Sequence, residues 1–172
     1  MFRGWENFYL LVGSAAGALI GLLFVVVTLT AGSERARIQR GQALYMTPTV
    51  VHFAAVLSIA ALAMVPGVAP GVVGGLLITT GLAGGVYGGV TAWRIQAGGS
   101  EHWSDVWFYG CLPATAYLAL AGCGGGVLMA AGPATYAVAA LGLTLLFIGV
   151  RNAWDLVTWL APRRSADPAD PR

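Results

Sequence analysis

The sequence has no lysine, and charge of either sign is thin: nine Arg and seven acidic residues among 172 positions. Soluble domains ordinarily carry about a quarter charged residues. At 9% charged, this chain cannot cover a water-exposed surface. The net charge is only +2 and no basic patch sits beside stacking aromatics, so nucleic acid is not an expected partner. There are two cysteines, Cys111 and Cys123, both in one expected helix. At 1.5 Å of rise per residue they stand about 18 Å apart, too far for a disulfide. Neither has metal-ligand spacing, and no metal site is expected. The sequence holds no H-E-x-x-H, no G-x-S-x-G and no phosphate-binding glycine loop, so no catalytic residue is assigned and the expectation is a non-enzyme. No cofactor is expected, since a lone buried histidine makes no haem site.

What is present is apolar, at 58% of residues, and gathered into long runs. The fold expected is all-α: a polytopic membrane helix bundle of five transmembrane helices joined by short loops. The spans fall at about 8–31, 47–66, 71–94, 105–130 and 134–160 within one domain, 1–162. A Pro- and Asp-rich tail, 163–172, reads as disordered and cytoplasmic. The first apolar run is longer than a signal-peptide core of about 7–15 residues and reads as a retained span. Thr47 and Pro48 suit the cap and first position of the second helix, and Ser104 suits the cap of the fourth. Pro66-Gly67 with Pro70-Gly71, and Gly132-Pro133, read as minimal turns. Pro113, inside the fourth span, removes a backbone donor and predicts a kink.

Five spans put the termini on opposite sides. With the N-terminus outside, Arg35, Arg37, Arg40, Arg94, Arg151, Arg163, Arg164 and Arg172 are cytoplasmic and only Arg3 is outside, as the positive-inside rule requires. Trp93, Trp103, Trp107, Trp154 and Trp159 fall at the same boundary. The expected location is a bacterial-type inner (plasma) membrane, with the lipid bilayer as first partner.

Glycine is plentiful, at 25 residues. In lipid, small residues let helix backbones approach closely. Gly13, Gly17 and Gly21 recur every four residues, with Ser14 and Ala18 beside them. The third span carries Gly71, Gly74, Gly75, Gly81, Gly84, Gly85, Gly88 and Gly89, which predicts a central helix offering little side chain to lipid. Gly122, Gly124, Gly125 and Gly126 predict a second tightly packed patch.

Few polar groups remain. Arg151, Asn152 and Asp155 form a cluster at the end of the last span, where Arg151 and Asp155 share a face. The cluster reads as an interfacial anchor whose Arg reaches toward head groups, as a fixed bridge to another helix, or as part of a transport path. His52 is the candidate for hydrogen bonding or gating. Thr79, Thr80, Thr115, Tyr117 and Thr144 are the other mid-depth polar residues, with Thr hydroxyls expected to bond their own helix.

The expected function is a small, non-enzymatic integral inner-membrane protein. It would associate through its glycine-rich faces, with itself as a homo-oligomer or with another membrane protein as an accessory subunit. The alternative is an oligomeric channel or transporter for an ion or small solute.

Overall fold

In a computed structural model, residues 2–30, 46–98 and 103–160 are described. Arg35, Arg37, Arg40, Glu101, His102 and the tail 163–172 lie outside the described residues. Among the described residues the structure is all helical, without strands, and five helices are long and apolar enough to cross a membrane. They are α1 (Glu6–Thr30), α2 (Thr47–Met64), α3 (Pro70–Ala97), α4 (Trp103–Leu128) and α5 (Ala134–Leu160).

Each helix buries one stripe. On α2 the stripe is Thr49, His52, Phe53, Val56, Ile59 and Ala60, at the three- and four-residue spacing that keeps side chains on one helix face. On α5, Val138, Leu145 and Asn152 are fully buried at seven-residue intervals. Asn152 thus occupies a core position in an otherwise apolar seam.

The helices pair unevenly. The closest pair is α3 with α4, then α1 with α2, and α5 packs on α1, α2 and α4. The α3–α4 pair is antiparallel and its register is readable from the glycines. Gly74 meets Gly124 and Leu128, Gly81 meets Tyr117 and Ala121, and Gly88 meets Ala114. Further along, Gly110 of α4 lies against Ala92 of α3. A Cβ at Gly81 would lie 2.5 Å from both the Ala121 nitrogen and the Tyr117 oxygen, so only glycine permits this approach.

The central position expected for α3 is corrected. Apart from α4 it touches α2 only lightly, and Val72, Leu76, Leu82, Val86, Val90 and Trp93 form an exposed outer face. The reason lies in how the small residues divide around the helix. Gly74, Gly81, Gly84, Gly85 and Gly88 line one seam, while Val and Leu on the opposite side give a bulky outer surface.

The helix starts also differ from expectation. Thr47 is the first residue of α2, and Met46 before it, at the cap position, already has helical dihedrals and makes no side-chain cap bond. Ser104 is inside the described part of α4, which opens at Trp103, with Asp105 in the first turn. After α4, the residue in the left-handed region is Ala130 (φ 55°), not Gly132. Bonds from Ala131 N to Gly126 O (2.9 Å) and from Ala130 N to Val127 O (3.1 Å) close a Schellman turn there. Between α2 and α3, Gly67 (φ 68°) takes the left-handed position that its turn requires.

Candidate functional site

The polar residues gather in two places. The first is where the end of α5 meets the start of α4. There α4 is not a uniform α-helix: Trp107–Cys111 form a π turn just before Pro113. Pro113 therefore stands at the start of the regular helix, directly after a wider turn. Asn152 of α5 packs directly on this turn. Its Nδ2 donates to the Phe108 carbonyl at 3.3 Å, and its own carbonyl accepts from Tyr109 Oη at 3.1 Å. Both Tyr109 and Asn152 are buried.

Arg151 covers this junction. Its guanidinium carbon sits 3.7 Å from the centre of the Phe108 ring, in cation–π contact. Its Nη1 donates to Asn152 Oδ1 at 3.3 Å and pairs with Asp155 Oδ2 at 2.9 Å. The structure thus brings Arg151, Asn152 and Asp155 together and adds Phe108 and Tyr109 from α4. The side chains of Arg151 and Asp155 are 35% and 40% exposed, so the ion pair is a rim feature and Asn152 is the buried member. Trp93, Trp103, Trp107 and Trp154 are exposed around the same end of the bundle.

The second place is inside the bundle. His52 on α2 is 1% exposed, and its Nδ1 lies 3.1 Å from Tyr117 Oη on α4. The Tyr117 ring is held against Gly84, where any Cβ would collide with it. Next to His52, Phe53 fills the space left by Gly149 of α5. One small residue on α3 and one on α5 thus seat two rings around the histidine. The buried His52 Nε2 has no hydrogen-bond partner among the described residues, and neither has Tyr9 Oη in the aromatic cluster of Phe2, Trp5, Phe8 and Tyr136. The Thr79, Thr115 and Thr144 hydroxyls bond carbonyls of their own helices.

The glycines named from the sequence divide into two groups. Gly13 packs against α2, where an added Cβ would stand 2.9 Å from Ala60 Cβ. Gly81, Gly84, Gly85 and Gly88 are all in the α3–α4 seam. At Gly17, Gly21 and Gly89 an added Cβ would meet nothing within 4 Å among the described residues. In the second glycine patch Gly124 alone is in the seam, whereas Gly122 and Gly125 are open and Gly126 faces the turn at Ala131 and Ala134.

Phe108 and Tyr109 were not singled out by sequence reasoning. A proline in an apolar helix leaves a carbonyl without its donor, and an asparagine in another apolar helix is a donor without an obvious acceptor. That complementarity was the available signal. Among the described residues no group of three His, Cys, Asp or Glu is gathered in a way that could hold a metal ion.

The chain matches no protein-family model, no curated protein and no solved structure. The functional reading therefore rests on the geometry alone.

Proposed function

We propose that this is a small, non-enzymatic integral protein of a bacterial-type inner membrane, and that it works by associating with another membrane protein or with further copies of itself. Its five helices cross the bilayer with the N-terminus outside and the C-terminus in the cytoplasm. The exposed ring of Trp93, Trp103, Trp107 and Trp154 supports this placement, because tryptophan favours the membrane interface. Arg94 and Arg151 lie at the same end of the bundle, on the side that the positive-inside rule makes cytoplasmic.

The observation that carries the association reading is the open face of α1. This helix is the least buried of the five. Ser14, Ala18 and Gly21 are exposed along it, with Gly17 half-buried beside them, and a Cβ added at either glycine would meet nothing within 4 Å among the described residues. Glycine costs helix stability, and all of these small residues offer little apolar area. Their use in a membrane helix is close approach of a second backbone, and among the described residues nothing comes within 4 Å of a Cβ added at Gly17 or Gly21.

Gly17→Leu and Gly21→Leu test the reading. Each should leave the unfolding midpoint of the isolated protein unchanged while reducing cross-linking to its partner in native membranes. Unchanged cross-linking in both variants contradicts the reading.

A channel or transporter is the second reading, and the buried, unpartnered Nε2 of His52 is what favours it. Hydroxyls that bond back to their own helices supply no continuous polar path, which weighs against it.

A further inference from the structure

The π turn of α4 and the buried asparagine of α5 are parts of one device. In a regular helix the Phe108 carbonyl accepts from the N–H four residues on, at Leu112. In a π turn it accepts from the N–H five residues on, at position 113. Here the Leu112 N–H reaches back to the Trp107 carbonyl instead. Residue 113 is proline and has no N–H. Neither ordinary donor is therefore available to Phe108. A carbonyl left unpaired among apolar side chains costs the full desolvation of the group.

We propose that the Asn152 side-chain amide replaces the backbone donor that Pro113 lacks, and so latches the first turns of α4 in their π register. The 3.3 Å contact from Asn152 Nδ2 to the Phe108 oxygen is that substitution. The same two helices are also tied through the main chain, because Tyr109 Oη donates to the Asn152 backbone carbonyl. Arg151 holds the Asn152 amide in the required orientation: its guanidinium donates to Oδ1, which directs the NH2 group toward Phe108. The register has consequences for what α4 presents. Removing one residue from a helical ladder rotates everything before it by about 100°. Gly110 would then leave Ala92, and Tyr109 and Phe108 would leave α5.

The inference predicts a coupling between two residues that bond different atoms. Alanine at position 113 restores an N–H to the ladder, so Phe108 regains an intrahelical donor in either register. Asn152 then becomes dispensable. The test is a double-mutant cycle of Asn152→Leu and Pro113→Ala, read as reversible unfolding of the full chain in detergent micelles. In the Pro113 background, Asn152→Leu should lower the folded-to-unfolded ratio by about tenfold or more. In the Pro113→Ala background the loss should shrink to about threefold or less. Any effect of losing the Arg151 contact is common to both arms and cancels. Equal losses in the two backgrounds overturn the proposal.

A second measurement leaves this junction unmutated and serves if a variant does not fold. Protein carrying 15N in asparagine side chains and 13C in phenylalanine carbonyls, with Asn7→Ser leaving Asn152 as the only asparagine, should show a direct dipolar contact in solid-state NMR. No contact between Asn152 and Phe108 overturns the latch.

Discussion

Gly81→Ala is the perturbation with the most definite magnitude. The added methyl would lie 2.5 Å from the Tyr117 oxygen and the Ala121 nitrogen and 2.8 Å from Ala121 Cα. All three are backbone atoms, so no flexible side chain can swing aside. Ordinary contact begins at 3.4 Å, and α3 must therefore retreat from α4 by nearly 1 Å. The retreat loosens the same seam at Gly74, Gly84 and Gly88. Overpacking of this kind costs about 1–3 kcal/mol, and a backbone collision belongs at the upper end. Replacing a helical glycine by alanine recovers up to about 1 kcal/mol, leaving a net loss of about 2 kcal/mol. Gly89→Ala is the control on the same helix. Nothing lies within 4 Å of its added methyl, so it should be neutral or up to about 1 kcal/mol stabilising. The assay is equilibrium unfolding of both variants in mixed detergent micelles. A gap of about 3 kcal/mol is expected. Equal stabilities for the two variants would refute the seam and the register drawn from it.

Two further outcomes rest on side-chain contacts and a third on the distribution of arginine. Asp155→Asn should cost at most about 1 kcal/mol, because the Arg151–Asp155 pair is 35% and 40% exposed; a loss above about 3 kcal/mol in unfolding experiments would show a buried bridge instead. Tyr117→Phe removes the group that faces His52 Nδ1 and should destabilise by about 1–3 kcal/mol, with His52→Phe in the same protein recovering part of the loss; strict additivity in the cycle would show that the 3.1 Å contact contributes nothing. Reporters of the periplasm and the cytoplasm fused to each terminus should place the N-terminus outside and the C-terminus inside, and equal signals from both ends would require an even number of spans.

The helices were legible in the sequence because each is a long apolar run bounded by Pro, Gly or charge. The span read as 105–130, for example, is the helix Trp103–Leu128. Glycine identity was legible, but glycine partners were not. A small-residue repeat says that a backbone can approach, without saying which backbone or whether it belongs to the same chain. Gly13 and Gly17 look equivalent in sequence, yet one faces Ala60 and the other faces open space. The position of α3 is hidden for the same reason: a high glycine count does not mean burial all round, and the helix packs closely along one seam. The polar cluster was legible as Arg151, Asn152 and Asp155 from charge scarcity. Its partners were hidden because Phe108 and Tyr109 are ordinary apolar and amphipathic residues until the π turn presents a carbonyl to Asn152. His52 stood out as a rare residue, whereas its pairing with Tyr117 depends on the placement of α2 beside α4, which no local pattern encodes.

Whether the protein works as an associating membrane subunit is decided by native mass determination after gentle extraction from the membrane. The expected result is a fixed complex, either an integral multiple of the protomer mass or the protomer with a stoichiometric membrane partner, which Gly17→Leu dissociates. A lone protomer in mild detergent and in lipid nanodiscs alike, with native and Gly17→Leu proteins indistinguishable, would contradict it.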